Sequence, residues 1–162
     1  MAETDVLTDV RKMTPEEKEA YHREAEARIK VIHIKKPPTK GDEPRDVVVQ
    51  TRTNLISVLN QWVRKGGEDN LHYHTNGDTF WMVLKGRARY YTKGDVLLAD
   101  LGPHECIVIP AGSRYWFETA GEEELELLQV VAAEKGGRKG ERINASPHKP
   151  WMTDPHLQVY DK

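Results

Sequence analysis

From Asp46 onward nearly every segment of this chain reads as a short β-strand, and that limits the possible folds more than any other feature. Val47 to Thr51, Leu55 to Arg64, Thr79 to Lys85, Arg87 to Thr92, Val96 to Ala99, Cys106 to Ile109, Arg114 to Thr119 and Leu125 to Ala133 are the segments in question. They are rich in the β-branched and aromatic residues that suit a pleated, half-buried surface. Glycine-containing turns at Lys85-Gly86, Lys93-Gly94-Asp95 and Gly121-Glu122 separate several of them. Many short strands broken in this way build a sandwich or a barrel. A length of 162 residues exceeds a minimal core and falls short of two comfortable domains.

The two ends read differently. Thr14-Pro15-Glu16-Glu17 is a helix start, with a threonine cap, proline in the first turn and a glutamate three residues after the cap. The helix is expected to run to about Ile29, with Tyr21, Ala25 and Ile29 on a thin apolar stripe that suits the outside of a barrel or a partner subunit. Val31 to Ile34 reads as a short strand, followed by a Pro/Lys/Gly-rich loop from Lys35 to Arg45. After Ala133 the sequence turns charged and glycine-rich, then carries Pro147, Pro150 and Pro155, as expected of a tail that wraps a surface or is partly disordered. The expected organisation is an N-terminal helix and arm over 1–45, a barrel over 46–133 and a tail over 134–162.

Charge and composition exclude several classes. A net charge of −2 makes no case for nucleic acid. No apolar run reaches membrane-spanning length, and MAETDVLTDVRKM lacks the apolar core of a signal peptide, so a cytoplasmic protein is expected. Cys106 is the single cysteine, which rules out an internal disulfide; its apolar surroundings suggest a small buried thiol.

The chemistry sits in GGEDNLHYHTNGDTFWMVLKG, Gly66 to Gly86. Side chains at i and i+2 of a strand share a face, so His72 and His74 present their imidazoles together, a natural start for a transition-metal site. The pair is followed by Asp78, and two imidazoles with one carboxylate are the ligand set of many non-haem iron sites. Strand parity leaves two readings. If Asp78 points inward, Phe80, Met82 and Leu84 share its face; if Thr79 does, Trp81 and Val83 line the interior. In the later strand Tyr115, Phe117 and Thr119 form the better inward face.

The spacing of Gly66, His72, His74, Asp78 and Gly86 resembles the first motif of the cupin superfamily, and ECIVIPAGSRYWFE, Glu105 to Glu118, is similar to its second. The resemblance covers about Leu55 to Ala133 and implies an all-β double-stranded β-helix, a jelly-roll barrel, here with an N-terminal α-helix. Metal-binding cupins supply two histidines and a glutamate from the first motif and a third histidine from the second. The resemblance places His72 and His74 at the first two positions, Asp78 or Thr79 at the glutamate, and Tyr115 at the last histidine. It implies a divalent transition metal (Fe, Mn, Ni or Zn) on His72, His74 and Asp78, with Tyr115 as ligand, acid or base, or pocket wall. Gln61, Asn60 and Tyr90 lie on strands that would border the cavity, and Trp81, Tyr90 and Phe117 suggest an aromatic pocket. His104, outside the usual ligand positions, is a weaker candidate.

Three functions follow from these residues. The first is a metal-dependent enzyme of small-molecule metabolism, with lyase, isomerase or dioxygenase chemistry. The others are a binding cupin with a degraded metal site and a metal-free acid–base enzyme built on a histidine and Tyr115. The resemblance also implies a homodimer.

Overall fold

The strand pattern is realised in the computed structural model, which describes residues 9–132 and 141–161. Ala133, the expected end of the last barrel strand, and all but Glu141 and Arg142 of the charged stretch after it lie outside the described residues. By internal contacts the chain divides into two units, Met1–Ile34 and Lys35–Lys162.

In the first unit, α1 (Pro15–Glu26) begins where the capping signal places it. Glu17 N–H donates to the Thr14 hydroxyl at 3.2 Å, and Thr14 N–H donates to the Glu17 carboxylate at 2.7 Å. Two otherwise orphaned donors are thus satisfied at once. The helix stops three residues short of Ile29, because the Arg28 and Ile29 N–H groups bond back only three residues, to Ala25 and Glu26, and tighten the last turn. Val31 to Ile34 is not a strand: it has no partner among the described residues, and Val31 is 81% exposed.

The second unit holds β1 (Arg45–Arg52), β2 (Ile56–Val63), β3 (His72–His74), β4 (Thr79–Lys85), β5 (Ala88–Thr92), β6 (Val96–Leu101), β7 (Cys106–Ile109), β8 (Trp116–Thr119), β9 (Leu125–Ala132) and β10 (Arg142–Asn144). One sheet runs β1-β2-β9-β4-β7. A second contains β6-β5-β8, and a ribbon pairs β10 with β3. His72 and Tyr115 join ribbon to sheet by exchanging two backbone hydrogen bonds, so the second wall reads β10-β3-β8-β5-β6. β10 falls in the segment expected to be a tail: part of it is a strand of the barrel.

Alternation decides what faces inward. On β4, Thr79, Trp81 and Val83 are buried while Phe80, Met82 and Leu84 are half-buried. Register sets Val83 opposite Leu127 and Trp81 opposite Gln129 on β9, and Gln61 and Val63 of β2 opposite Leu127 and Leu125. The interior is therefore graded: Val63, Val83, Ala88, Leu125 and Leu127 form an apolar plug, and polar groups collect towards β3. Cys106 departs from the buried thiol expected of it. It lies on edge strand β7, opposite Met82 on the outward face, and is exposed.

Gly77 permits the close approach that leads β3 into β4. A Cβ there would stand 2.3 Å from the Ala132 carbonyl oxygen. Gly77→Ala is expected to lower stability by about 1–3 kcal/mol through overpacking. Gly121→Ala, whose methyl would meet nothing nearer than 3.9 Å, should stay within about 0.5 kcal/mol of the parent. Urea unfolding of the two variants beside the parent checks this.

Candidate functional site

Register assembles the site in rows across the second wall. Residues directly opposite on paired strands project to one face, and Asn144, His72 and Tyr115 make one such row, with Arg142 and His74 beginning the next. The His72 and Tyr115 rings stand 4.5 Å apart between centroids, His72 and His74 5.2 Å, and His74 and Tyr115 6.2 Å. Tyr73 alternates to the other side and bonds Asp161 of the tail.

Deeper in the barrel Trp81, Tyr90 and Phe117 pack as an aromatic floor, with centroids 5.2 to 6.2 Å apart. Trp81 Nε1–H donates to the Tyr115 oxygen at 3.3 Å. The Tyr90 hydroxyl and Thr79 Oγ1 are buried without any hydrogen-bond partner among the described residues. Gln61 bridges Arg45 and Gln129, donating to the latter at 2.7 Å. Asn60 alternates to the opposite face of β2, where its amide donates to the Leu127 carbonyl.

Beside these lies an ionic cluster that local sequence patterns did not signal. Asp69 accepts from Arg45 at 2.9 Å, with side chains 4% and 5% exposed, and lies 3.7 Å from Arg142. Arg45 is sandwiched between the rings of Phe117 and Trp151, 4.8 and 4.7 Å from their centroids. Arg142 donates to Asn144 Oδ1 at 2.6 Å and Asn70 Oδ1 at 2.7 Å.

Burial governs the protonation states. It depresses His72 to about 3; Asp69 works against that shift, and Arg142 and His74 add to it. His74 falls to about 4, again through burial and then Arg142. Both rings are neutral at pH 7, the form that ligates a metal. His72 Nδ1 sits 2.8 Å from the Asn70 carbonyl oxygen. A carbonyl only accepts, so Nδ1 carries the proton and Nε2 keeps its lone pair. Burial pushes the Tyr115 phenol well above its ordinary pKa, with Asp69 adding to the effect, and it stays protonated. Burial would raise Asp69 too, but Arg45 and Arg142 override it and hold its pKa below the usual value.

Asp78 does not join the histidines. It is exposed, and its carboxylate accepts the Ala111 N–H at 2.9 Å, tying down the Pro110 turn. Thr79 takes the inward position. Among the described residues no group of three His, Cys, Asp or Glu side chains could hold a metal. Of the expected ligands, His72 and His74 alone are brought side by side. His104 is exposed, in a turn at φ 68°.

Residues 61–131 match the cupin domain model. This chain carries a cupin domain. Its barrel is similar to an uncharacterised conserved protein with a double-stranded β-helix domain from Klebsiella pneumoniae, at 22% identity over 61% of this chain and 85% of the other, TM-score 0.53. It is also similar to KdgF from Halomonas sp., at 13% identity over 60% and 87%, TM-score 0.51. A third likeness is to a recombinant oxalate oxidase in complex with glycolate, at 21% identity over 64% and 58%, TM-score 0.52. At these identities the likeness is one of fold. No curated protein matches the chain. No helix among the described residues is long and apolar enough to cross a membrane.

The neutral histidines give the cupin a signed pH dependence. Their folded pKa values, about 3 and 4, lie below the unfolded value of about 6.5. The unfolded chain therefore binds more protons between those limits. Stability from this source is complete above about pH 6.5 and is lost as pH falls towards the folded values, at most about 1.4 kcal/mol per pH unit per group. Metal-free protein should show a lower urea midpoint at pH 5 than at pH 7, and His72→Gln with His74→Gln should flatten the difference.

Proposed function

We propose that this cupin is a metal-dependent enzyme acting on a small organic molecule, with a divalent transition metal (Fe, Mn, Ni or Zn) held by His72 and His74. The observation that carries the reading is the fixed His72 tautomer: Nδ1–H is committed to Asn70 while burial keeps both rings neutral. A backbone carbonyl on the far nitrogen is the usual support of a ligating imidazole. When bound, the metal supplies Lewis acidity and open coordination positions.

The rest falls to side chains of the chain itself. Tyr115 accepts from Trp81, so its own proton is free to be donated to a molecule beside the histidines. Held neutral, the phenol stabilises negative charge developing on that molecule, which suits lyase or isomerase chemistry. Trp81 and Phe117 exclude water below it, and the unpartnered Tyr90 hydroxyl and Thr79 Oγ1 offer two further hydrogen bonds. Among fold neighbours, one is named as an oxalate oxidase, which supports enzyme chemistry on this fold.

A second reading, a metal-free binding or acid–base site on Tyr115, is favoured by the commitment of Asp78 to Ala111. Exposed Val47 and Val49 on edge strand β1, 48% and 42% accessible, support a homodimer.

Elemental analysis of the full untagged chain separates the two readings. Near-stoichiometric metal, lost on His72→Ala with His74→Ala and kept in Tyr115→Phe with turnover down about 100-fold or more, is the expected result. No metal in either protein, including after incubation with each candidate ion, would leave the second reading.

A further inference from the structure

One positive charge is left over at the polar end of the barrel. Arg45 and Arg142 bring two cations into surroundings where their side chains are only 5% and 10% exposed. Asp69 is the single carboxylate within ion-pair distance of either among the described residues. Four other titratable groups whose charge bears on these arginines, His72, His74, Tyr90 and Tyr115, are neutral at pH 7. A cation held away from water without a counter-charge is costly unless something supplies that charge.

The two arginines are not equivalent. Arg45 uses four of its five donors, to Asp69, to the Gly67 carbonyl and twice to Gln61, and its guanidinium lies over two aromatic rings. Arg142 donates only to the amide oxygens of Asn144 and Asn70 among the described residues. Those bonds use two of its five N–H donors. Neutral amide oxygens orient the guanidinium without cancelling its charge. Its strand position, directly opposite His74, puts it on the face that carries both histidines. A planar, pre-oriented fork with spare donors matches a carboxylate bound by two parallel hydrogen bonds.

We propose that the molecule taken into this barrel carries a carboxylate, and that Arg142, delivered by the C-terminal strand, is the residue that binds it. The proposal takes its location from the small-molecule reading above and does not require the metal. The carboxylate neutralises the leftover charge, and the rest of the molecule extends past the imidazoles towards Tyr115 and the unpartnered Tyr90 hydroxyl.

The test uses the full chain, as purified and after 1,10-phenanthroline treatment and dialysis. Malonate, glycolate and benzoate are titrated against malonamide, glycolamide and benzamide, and binding is followed by isothermal calorimetry. At least one acid should bind about tenfold or more tightly than its amide. Arg142→Gln should lose that preference, and Arg142→Lys should restore part of it. Should Arg142→Gln fail to fold, the Arg142 Nε–H NMR signal of the parent decides: it shifts with the acid and not with the amide. Equal binding of acid and amide, an Arg142→Gln variant that retains the preference, an unmoved Nε–H signal, or no binding by any acid would overturn the proposal. Retention of acid binding in the phenanthroline-treated protein is expected; a failure of the metal reading would thus leave this result standing.

Discussion

The buried carboxylate of Asp69 holds the polar end of the barrel together. It joins Arg45 on β1 to Arg142 on β10, and the segment that carries it leads directly into His72. Arg45 extends the tie through Gln61 to Gln129 on β9, and through its stacked rings to Phe117 on β8 and Trp151 in the tail. Removing one partner from such a pair strands an unpaired charge at a cost of about 3–5 kcal/mol. The histidines therefore stand on a strand fixed from both sides, by Tyr115 on one edge and by the charge-anchored β10 on the other.

That anchoring explains why a three-residue ribbon can carry the site. β3 and β10 exchange few hydrogen bonds, and a two-stranded ribbon alone is marginal in water. Trp151 donates to the Glu68 carbonyl at 2.9 Å, and Asn144 donates to Val159 and Leu157 carbonyls, so tail and ribbon brace each other. The polar end of the barrel also keeps what a pure core would eliminate: a Tyr90 hydroxyl and a Thr79 oxygen without partners among the described residues, and an extra cation. Local departures from the rules of stability gather where a chain meets its ligand. Here they lie on one side of the apolar plug formed by Val63, Val83, Leu125 and Leu127.

Much of this was legible in the sequence, because strand alternation is a local signal. The shared face of His72 and His74, the inward placement of Tyr115 and Phe117, and the capped helix at Thr14 all follow from spacings of two to four residues. Asp78 shows where parity stops helping. It precedes β4, and its acid is taken by a backbone N–H thirty-three positions along, which no spacing rule announces. Arg142 was harder still. A strand of three residues has no measurable period, and its partner lies about seventy residues earlier, across a charged stretch that reads as the start of a tail. The aspartate just before His72, in Asp69-Asn70-Leu71-His72, was the available clue: an acid beside a buried motif requires a cation from elsewhere in the chain.

His72 keeps a bare Nε2 because Nδ1–H is bound to the Asn70 carbonyl, and the site depends on that tautomer. Long-range ¹⁵N–¹H NMR of the histidine rings in metal-free protein reads this directly. The expected result is a His72 ring protonated on Nδ1 alone, unchanged from pH 7.5 to 5, with its Nε2 resonance displaced when Zn²⁺ is added. A His72 that titrates near pH 6.5, or that carries its proton on Nε2, would contradict it.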